Sequence, residues 1–320
     1  MERFIYCCTI WFTMVQQRSY TIKGNPLEVN KIYPFRIGFL NDIHVASQFA
    51  LMPRKGWVDH YGTKHMPNEG QQILNDYLDS YEEECNKNKV NHLWIPGDLI
   101  VGSNRIESGQ YTVNIELEEQ KMMAAQVIAD FCKKVPSIEK IFIWKSTGYH
   151  GSRDTSVDAN IADILKAKHN LPAEYKGEYS IITLEFNGYK KKIFITHPTS
   201  NATMYPEQAM GKDMMLWEEG VGKGKLPRID VIIRAHKHNF IEVHKPTIRA
   251  IQLGCWQFFV PYDGAMKNFA RWQPDIGSVI LLFDENLRMT TWHFMYDNIM
   301  EPYRYVDIKI DKDVEETCLL

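Results

Sequence analysis

The sequence predicts an α/β fold in which two β-sheets pack together with helices on their flanks. Three observations carry that prediction. Five short, continuous apolar runs are separated by longer stretches, three of which have helical periodicity, as expected of strands buried on both faces of a sheet. Three later strand-length runs follow one another with no helix between them, which suggests a second sheet. The composition, 44% hydrophobic and 24% charged over 320 residues, is that of a globular chain able to bury a full core.

In chain order, the first strand is expected at Ile37–Leu40 (IGFL). Leu74, Tyr77, Leu78, Tyr81 and Cys85, spaced by three and four, predict a helix over Gln71–Asn88. Leu93–Ile95 (LWI) is the next strand, followed by a helix over Ile115–Val135 with the stripe Ala124, Val127, Ile128, Phe131, Val135. Ile141–Trp144 (IFIW) reads as a strand, and Val157–Lys168 as a helix through Val157, Ile161, Ile164 and Leu165. Ile193–Ile195 (IFI) and Val231–Ile233 (VII) complete the first set of strands. Ile248–Leu253, Ser278–Phe283 and Met289–Phe294 form the second set, with the look of a meander or hairpins. No repeat, low-complexity run or Gly/Ser linker interrupts the chain, so one domain is expected over 34–296, with an extension at 1–33 and a charged tail at 297–320.

The ends and the cysteines bound the setting. Phe4–Val15 is apolar but too short to span a bilayer. It lacks the basic region and small-residue cleavage site of a signal peptide. It reads as a strand, as an extension packed on the body, or as the product of an upstream start with Met14 the true one. No later segment reaches spanning length, so a soluble protein without membrane partners is expected. The six cysteines form no CxxC pair, and Cys318 is misplaced for prenylation. They read as reduced thiols in a cytoplasmic setting. A net charge of −3 excludes a dedicated basic coat for nucleic acid, though not a local patch.

The informative feature is where the histidines fall. Each of the first five apolar runs is followed within a few residues by Asp or His: Asp42-Ile43-His44, Gly97-Asp98, Gly148-Tyr149-His150, Thr196-His197, and Ala235-His236-Lys237-His238. Ligands in open α/β sheets sit outside the carboxyl ends of strands, so five such ends would converge on one crevice. The two-residue spacing within Asp42/His44 and His236/His238 would put each pair on one face if the backbone were extended. Imidazole with carboxylate and no thiolate suits Mn²⁺, Zn²⁺ or Fe. The ligand count exceeds one tetrahedral site, whereas two ions about 3.5–4 Å apart would use it all.

The order Asp-x-His, Gly-Asp, Gly-x-His, His, Ala-His-x-His resembles that of the calcineurin-like metallophosphoesterases over roughly 37–239. The resemblance implies an αββα sandwich of mixed sheets with a binuclear centre of two divalent transition-metal ions. It implies that Asp42, His44 and His238 hold one ion, that His197 and His236 hold the other, and that Asp98 bridges them. His150 would sit beside the substrate phosphate, stabilising charge or protonating the leaving oxygen, while a metal-bridging hydroxide attacks phosphorus. The region 146–165 is similar to a branch common in tailed phages and prophages, which would place the protein in the cytoplasm of a bacterial or phage-infected cell. Two positions depart from the family pattern. Ala235 replaces a glycine, a mild change. Tyr149 stands where a metal-binding Asn is usual, which would leave the second ion weaker or served by Thr147, Asp154, Asn160 or water.

The expected activity is therefore phosphoester hydrolysis, of a phosphodiester first and a phosphomonoester or nucleotide second. A non-catalytic scaffold with a partly degenerate site is the rival from another class. Arg54, Lys55, Trp57, His60, Tyr61, Lys64 and His65 interleave charge and aromatic rings over 46–70, a pattern that could hold a nucleic-acid strand or be an ordinary surface loop. Residues 201–228 carry Met204, Met210, Met214, Met215 and Trp217, then Lys223, Lys225 and Arg228. They read as one wall of the site or, more simply, as packing against the body. The run Gly220–Lys225 does not have P-loop spacing. His60, His65, His92, His169, His244 and His293 fit no motif and are expected to be structural or on the surface.

Overall fold

A computed structural model describes residues 33–103, 109–150, 157–198, 206–261 and 273–298. The extension expected at 1–33 and the tail at 297–320 lie outside these residues, save for Tyr33 and the first two residues of the tail. The first sheet has six strands. Its core is parallel: β1 (Phe35–Phe39), β4 (His92–Ile95), β5 (Lys140–Ile143) and β6 (Ala173–Tyr175). The hairpin β12 (Ile276–Phe283) and β13 (Met289–Tyr296) extends it, antiparallel to β1, giving the order β13-β12-β1-β4-β5-β6. The second sheet has the order β10-β11-β9-β8-β7, with β8 (Tyr189–Thr196), β9 (Val231–Arg234) and β11 (Arg249–Gln252) parallel, and with β7 (Tyr179–Phe186) and β10 (Ile241–His244) antiparallel at its edges. A two-stranded ribbon, β2 (Trp57–Val58) with β3 (Lys64–His65), lies outside both.

The alternation of side chains sorts the core into layers. Ile37, Phe39, Trp94 and Trp144 face Ile193, Ile195, Val231 and Ile233 and form the apolar slab between the sheets. Leu93, Ile95, Ile141 and Ile143 point the other way, onto α1 (Glu69–Lys87), α2 (Leu117–Lys134) and α3 (Val157–His169). On the far side of the second sheet, Phe194, Ile232 and Ala250 pack on Met210 and Met214 of α4 (Pro206–Gly222). The result is an αββα sandwich of two mixed sheets. Central strands are apolar throughout because both of their faces are covered. The packing role expected of Met210 and Met214 is met, and Met204 lies outside the described residues.

The partition of strands differs from the expectation. The five metal-type strand ends do not belong to one sheet: β1, β4 and β5 are in the first, β8 and β9 in the second. The late run at 248–253 joins β9 in the second sheet, while the two last runs pair with each other and with β1 in the first. Apolarity reports that a strand is covered on both faces, which is true in either sheet, so it could not assign membership.

Local chemistry sets the helix ends. Asn68 caps α1: its side chain accepts from the Gln71 amide at 2.9 Å, and the Gln71 side chain accepts from the Asn68 amide at 3.0 Å, a reciprocal capping box. Tyr81, buried under Gly38, accepts from the Phe39 amide and donates to the Val279 carbonyl, tying α1 to the seam between β1 and β12. No helix among the described residues is long and apolar enough to cross a membrane.

His92 is wedged between the rings of Phe35 and Phe142 at 6.0 and 5.9 Å. Burial, with Lys140 nearby, pushes it down to about 4 from 6.5. Between those values the unfolded chain takes up a proton that the folded chain refuses, so this site costs stability as pH falls through that window. His92→Phe should recover about 2–3 kcal/mol of the stability lost between pH 7 and pH 4.5, measured by urea unfolding of both proteins at the two pH values.

Candidate metal centre

Every motif residue lies past the end of a strand, where the backbone has left the ladder, with His150 the farthest out at seven residues beyond β5. Asp42 (φ 46°), His44 (39°), Asp98 (47°), His236 (76°) and His238 (57°) all adopt left-handed conformations that side chains other than glycine rarely take. The pairs Asp42/His44 and His236/His238 therefore share a site through kinked loops rather than through the extended alternation expected of them. Gly97, at φ 104°, precedes Asp98, and a Cβ there would lie 2.8 Å from the His197 ring and 2.9 Å from the Lys145 carbonyl. Ala235 has no positive φ, so the missing glycine of the last motif costs nothing locally.

Hydrogen bonds lace these loops together. The His44 amide donates to the Asp98 carbonyl at 3.0 Å, joining the loops after β1 and β4, and the Ala235 amide donates to the His197 carbonyl at 3.0 Å, joining those after β8 and β9. The Trp256 amide donates to the Asp42 carbonyl at 3.1 Å. Asn41 donates to the Gly254 carbonyl at 2.5 Å and accepts from Ser278 at 2.9 Å, binding the first loop to the segment after β11.

The seven candidate residues converge. Asp42, His44 and His238 form one cluster, Asp98, His197 and His236 a second, and His44, Asp98 and His150 a third that overlaps both, with ligand atoms within 4.8 Å of one another in each. In the first, His238 Nε2 lies 3.3 Å from Asp42 Oδ1 and 3.1 Å from His44 Nε2. In the second, Asp98 Oδ2 lies 2.8 Å from His197 Nε2 and 3.7 Å from His236 Nδ1. Asp42 Oδ1 is also 3.8 Å from His197 Nε2, so the two clusters abut. His150 donates from Nδ1 to the Val101 carbonyl (2.9 Å), which leaves Nε2 facing Asp98 Oδ2 at 3.9 Å. The tautomer of His197 is fixed likewise by the Pro96 carbonyl at 2.5 Å from its Nδ1.

The electrostatics are those of a site built around positive charge. Asp42 and Asp98 are wholly buried, and Asp42 Oδ1 has no hydrogen-bond partner, the nearest nitrogens being those of His238 and His197. Burial would raise the Asp98 carboxyl, but His197 and His150 hold it well below the usual carboxylate range. Burial and the neighbouring His150 and His238 push His44 far down. Burial would lower His197 too, yet Asp98 and Asp42 lift it to about 9. His238 is held well above its ordinary value, against its burial, by Cys255 and Asp42. Two buried carboxylates, an orphaned carboxylate oxygen and imidazole nitrogens aimed at one another are what divalent ions would satisfy, so the donor set fits such ions.

Three supporting residues escape sequence reasoning. Ser146 Oγ accepts from the Asp98 amide at 2.7 Å, and Asp158, in the first turn of α3, accepts from the Ser146 amide at 2.7 Å and hydroxyl at 2.6 Å. Burial pushes Asp158 up to about 6. The third is Cys255, buried beside His238. An acid in a first helical turn reads in sequence as a dipole partner, and nothing in its spacing announces Ser146. Thr147 donates to Asp98 Oδ1 from its amide (2.8 Å) and hydroxyl (3.1 Å). Tyr149 sets its ring edge-on to His150 at 4.7 Å, Asn160 sits on α3, and Asp154 lies outside the described residues.

The basic-aromatic stretch is mostly committed elsewhere. Arg54 pairs with Asp79 at 2.5 Å and with the buried Glu82 at 2.8 Å. Trp57 and His60 bond Glu119 of α2, and His65 bonds Asp59. Lys55, Tyr61 and Lys64 remain exposed.

The fold and the site thus define a two-sheet sandwich with an Asp/His cluster at the ends of five strands. No family model and no curated protein matches the chain. Solved structures do match. Vps29 from Entamoeba histolytica complexed with Zn²⁺ is 10% identical, covering 81% of this chain and 99% of that one, with a TM-score of 0.35. A novel archaeal phosphodiesterase is 12% identical over 81% and 99%, at 0.38, and the E. coli phosphoesterase Yfce is 13% identical over 81% and 100%, at 0.36.

Removing the support behind Asp98 should loosen metal without unfolding the chain. Asp158→Ala is expected to weaken the tightest-bound ion about 10–100-fold in a chelator competition, while Asp163→Ala, at an exposed position on the same helix, leaves it unchanged.

Proposed function

We propose that the chain is a binuclear metal-dependent phosphoesterase acting on phosphodiesters. The observation that carries this reading is the abutting pair of Asp/His clusters, which meet at the buried Asp42 Oδ1 and His197 Nε2, 3.8 Å apart. Asp42, His44 and His238 would hold one ion, and Asp98, His197 and His236 the other, with Asp98 between them. Mn²⁺, Zn²⁺ or Fe would supply Lewis-acid charge against phosphoryl oxygens and lower the pKa of water. The chain's own residues do the rest. Thr147 holds the Asp98 carboxylate, and the Ser146–Asp158 pair holds the Asp98 backbone amide. His150, oriented by the Val101 carbonyl, offers Nε2 to the substrate, where its protonated form stabilises charge or gives a proton to the leaving oxygen.

Purified protein loaded with Mn²⁺ is expected to hydrolyse bis-p-nitrophenyl phosphate and to hold two ions by elemental analysis. Asp98→Ala should lower turnover by about 10³-fold or more and reduce the metal content. Turnover no higher in the wild type than in that variant, with no metal bound, would instead support a non-catalytic scaffold, and a single ion would point to Tyr149 as the cause.

Nucleic acid is the proposed substrate class, supported by the exposed Lys55, Tyr61 and Lys64. Arg54 is unsuitable for the test because its removal leaves the buried Glu82 with one cation, Lys134, in place of two. Lys55→Ala/Lys64→Ala should weaken cleavage of single-stranded DNA several-fold, with a shallower salt dependence, while leaving bis-p-nitrophenyl phosphate turnover intact. Equal cleavage of DNA by both proteins would remove the support for this substrate.

A further inference from the structure

The parallel strands of the second sheet have two ends, and only one of them carries the Asp/His clusters. At the other, the starts of β8, β9 and β11 meet the last turns of α4 around a cavity of about 690 Å³. Lys190 and Lys192 come from the start of β8, and Arg228 and Asp230 from just before β9. Thr247 and Ile248 come from just before β11, and Trp217, Glu218 and Val221 from α4. Lys192 and His197 are five residues apart along an extended strand, or roughly 16 Å, so the cavity and the metal centre are separate sites. The stretch 201–228, read from sequence either as a wall of the metal centre or as packing against the body, thus ends with Arg228 at the opposite pole.

The charges in the cavity do not cancel. Glu218 is engaged by Thr247 at 2.6 Å and Lys245 at 3.1 Å, and Asp230 by Lys191 at 3.5 Å and the Lys192 amide at 2.7 Å. Lys190 pairs with Glu185 at 3.1 Å. Lys192 and Arg228 make no ion pair among the described residues, which leaves two cations facing the same space. The carbonyls at the end of α4 offer them little: those of Glu219, Gly220 and Val221 already accept from the Lys223, Lys225, Leu226 and Gly224 amides. An apolar wall completes the cavity. Trp217 is half-buried, rests one side on Phe194 at 4.4 Å, and anchors its indole N–H on the Pro227 carbonyl at 3.0 Å, so its ring is fixed.

We infer that this cavity is a second ligand site, which takes a nucleoside monophosphate with its phosphate between Lys192 and Arg228 and its base against Trp217. Two free cations beside a rigid aromatic wall match an anion joined to a planar ring, and the volume falls within the range of small-molecule sites. A bare anion would leave the apolar wall unused, and a neutral ring would leave the cations unused.

The test needs neither metal nor turnover, so its outcome is independent of the phosphoesterase reading. Chelator-treated protein is titrated calorimetrically with AMP, GMP, CMP and UMP, and with ribose 5-phosphate and inorganic phosphate for comparison. At least one nucleotide should saturate below about 1 mM and bind about tenfold or more tightly than ribose 5-phosphate. Lys192→Ala/Arg228→Ala should weaken it about tenfold or more, Trp217→Leu should erase the preference over ribose 5-phosphate, and Asp98→Asn should change nothing. Lack of saturation by all four nucleotides, equal binding of inorganic phosphate, or binding that survives the double substitution but is altered by Asp98→Asn would each overturn the proposal. A matched circular dichroism spectrum and unchanged thermal midpoint for Lys192→Ala/Arg228→Ala keep misfolding from counting as support.

Discussion

Two carboxylates, Asp42 and Asp98, are buried completely where the ends of two sheets meet, and much of the surrounding structure answers that fact. An isolated buried carboxylate costs several kcal/mol or more in the folded state unless charge or hydrogen bonds compensate it. Asp98 is compensated on every side, by Thr147, His197, and the His236 and His150 rings. Asp42 is compensated only in part: Oδ2 accepts from the His236 amide at 3.3 Å, while Oδ1 makes no hydrogen bond and has only the His238 and His197 nitrogens, at 3.3 and 3.8 Å. That imbalance is the physical reason to regard the cluster as a receptor for cations rather than as a self-sufficient polar network.

The cost extends to the backbone. Five candidate ligands hold left-handed φ values, each worth of order 1 kcal/mol or more of strain. Such strain persists only where the surroundings over-determine it. Here the surroundings are the amide-to-carbonyl bonds between neighbouring strand-end loops and the slab of Trp94, Trp144 and Phe39 beneath them. The rigid sandwich supplies the frame, and the short loops place the ligands within a few ångströms. The Ser146–Asp158 pair extends the same logic outward, since α3 reaches the metal centre through one hydroxyl.

The second sheet is polar in the literal sense. Its parallel strands β8 and β9 deliver His197, His236 and His238 at one end, while the starts of β8, β9 and β11 gather Lys192 and Arg228 at the other. One rigid element thus carries three histidines of the Asp/His cluster at one pole and, at the opposite pole, a cavity in which Lys192 and Arg228 make no ion pair among the described residues.

The seven motif residues were legible in the sequence because each falls within a few residues of the end of an apolar run, and a strand covered on both faces leaves its mark in consecutive residues whichever sheet it joins. Helices α1, α2 and α3 were legible for the same kind of reason, an apolar stripe at helical spacing. What tertiary structure alone decided was everything that depends on pairing across long separations. It split the five strand ends between two sheets, because backbone hydrogen bonds carry no sequence label. It turned the two-residue spacings into left-handed kinks, because the ladder ends before Asp42 and His236. It committed Arg54 to Glu82, set Asp158 behind Ser146, and brought Lys192 and Arg228 to one cavity. A local pattern fixes which residues are buried and which stand at a strand's end, but only the folded chain determines which charges are already paired and which remain free to bind.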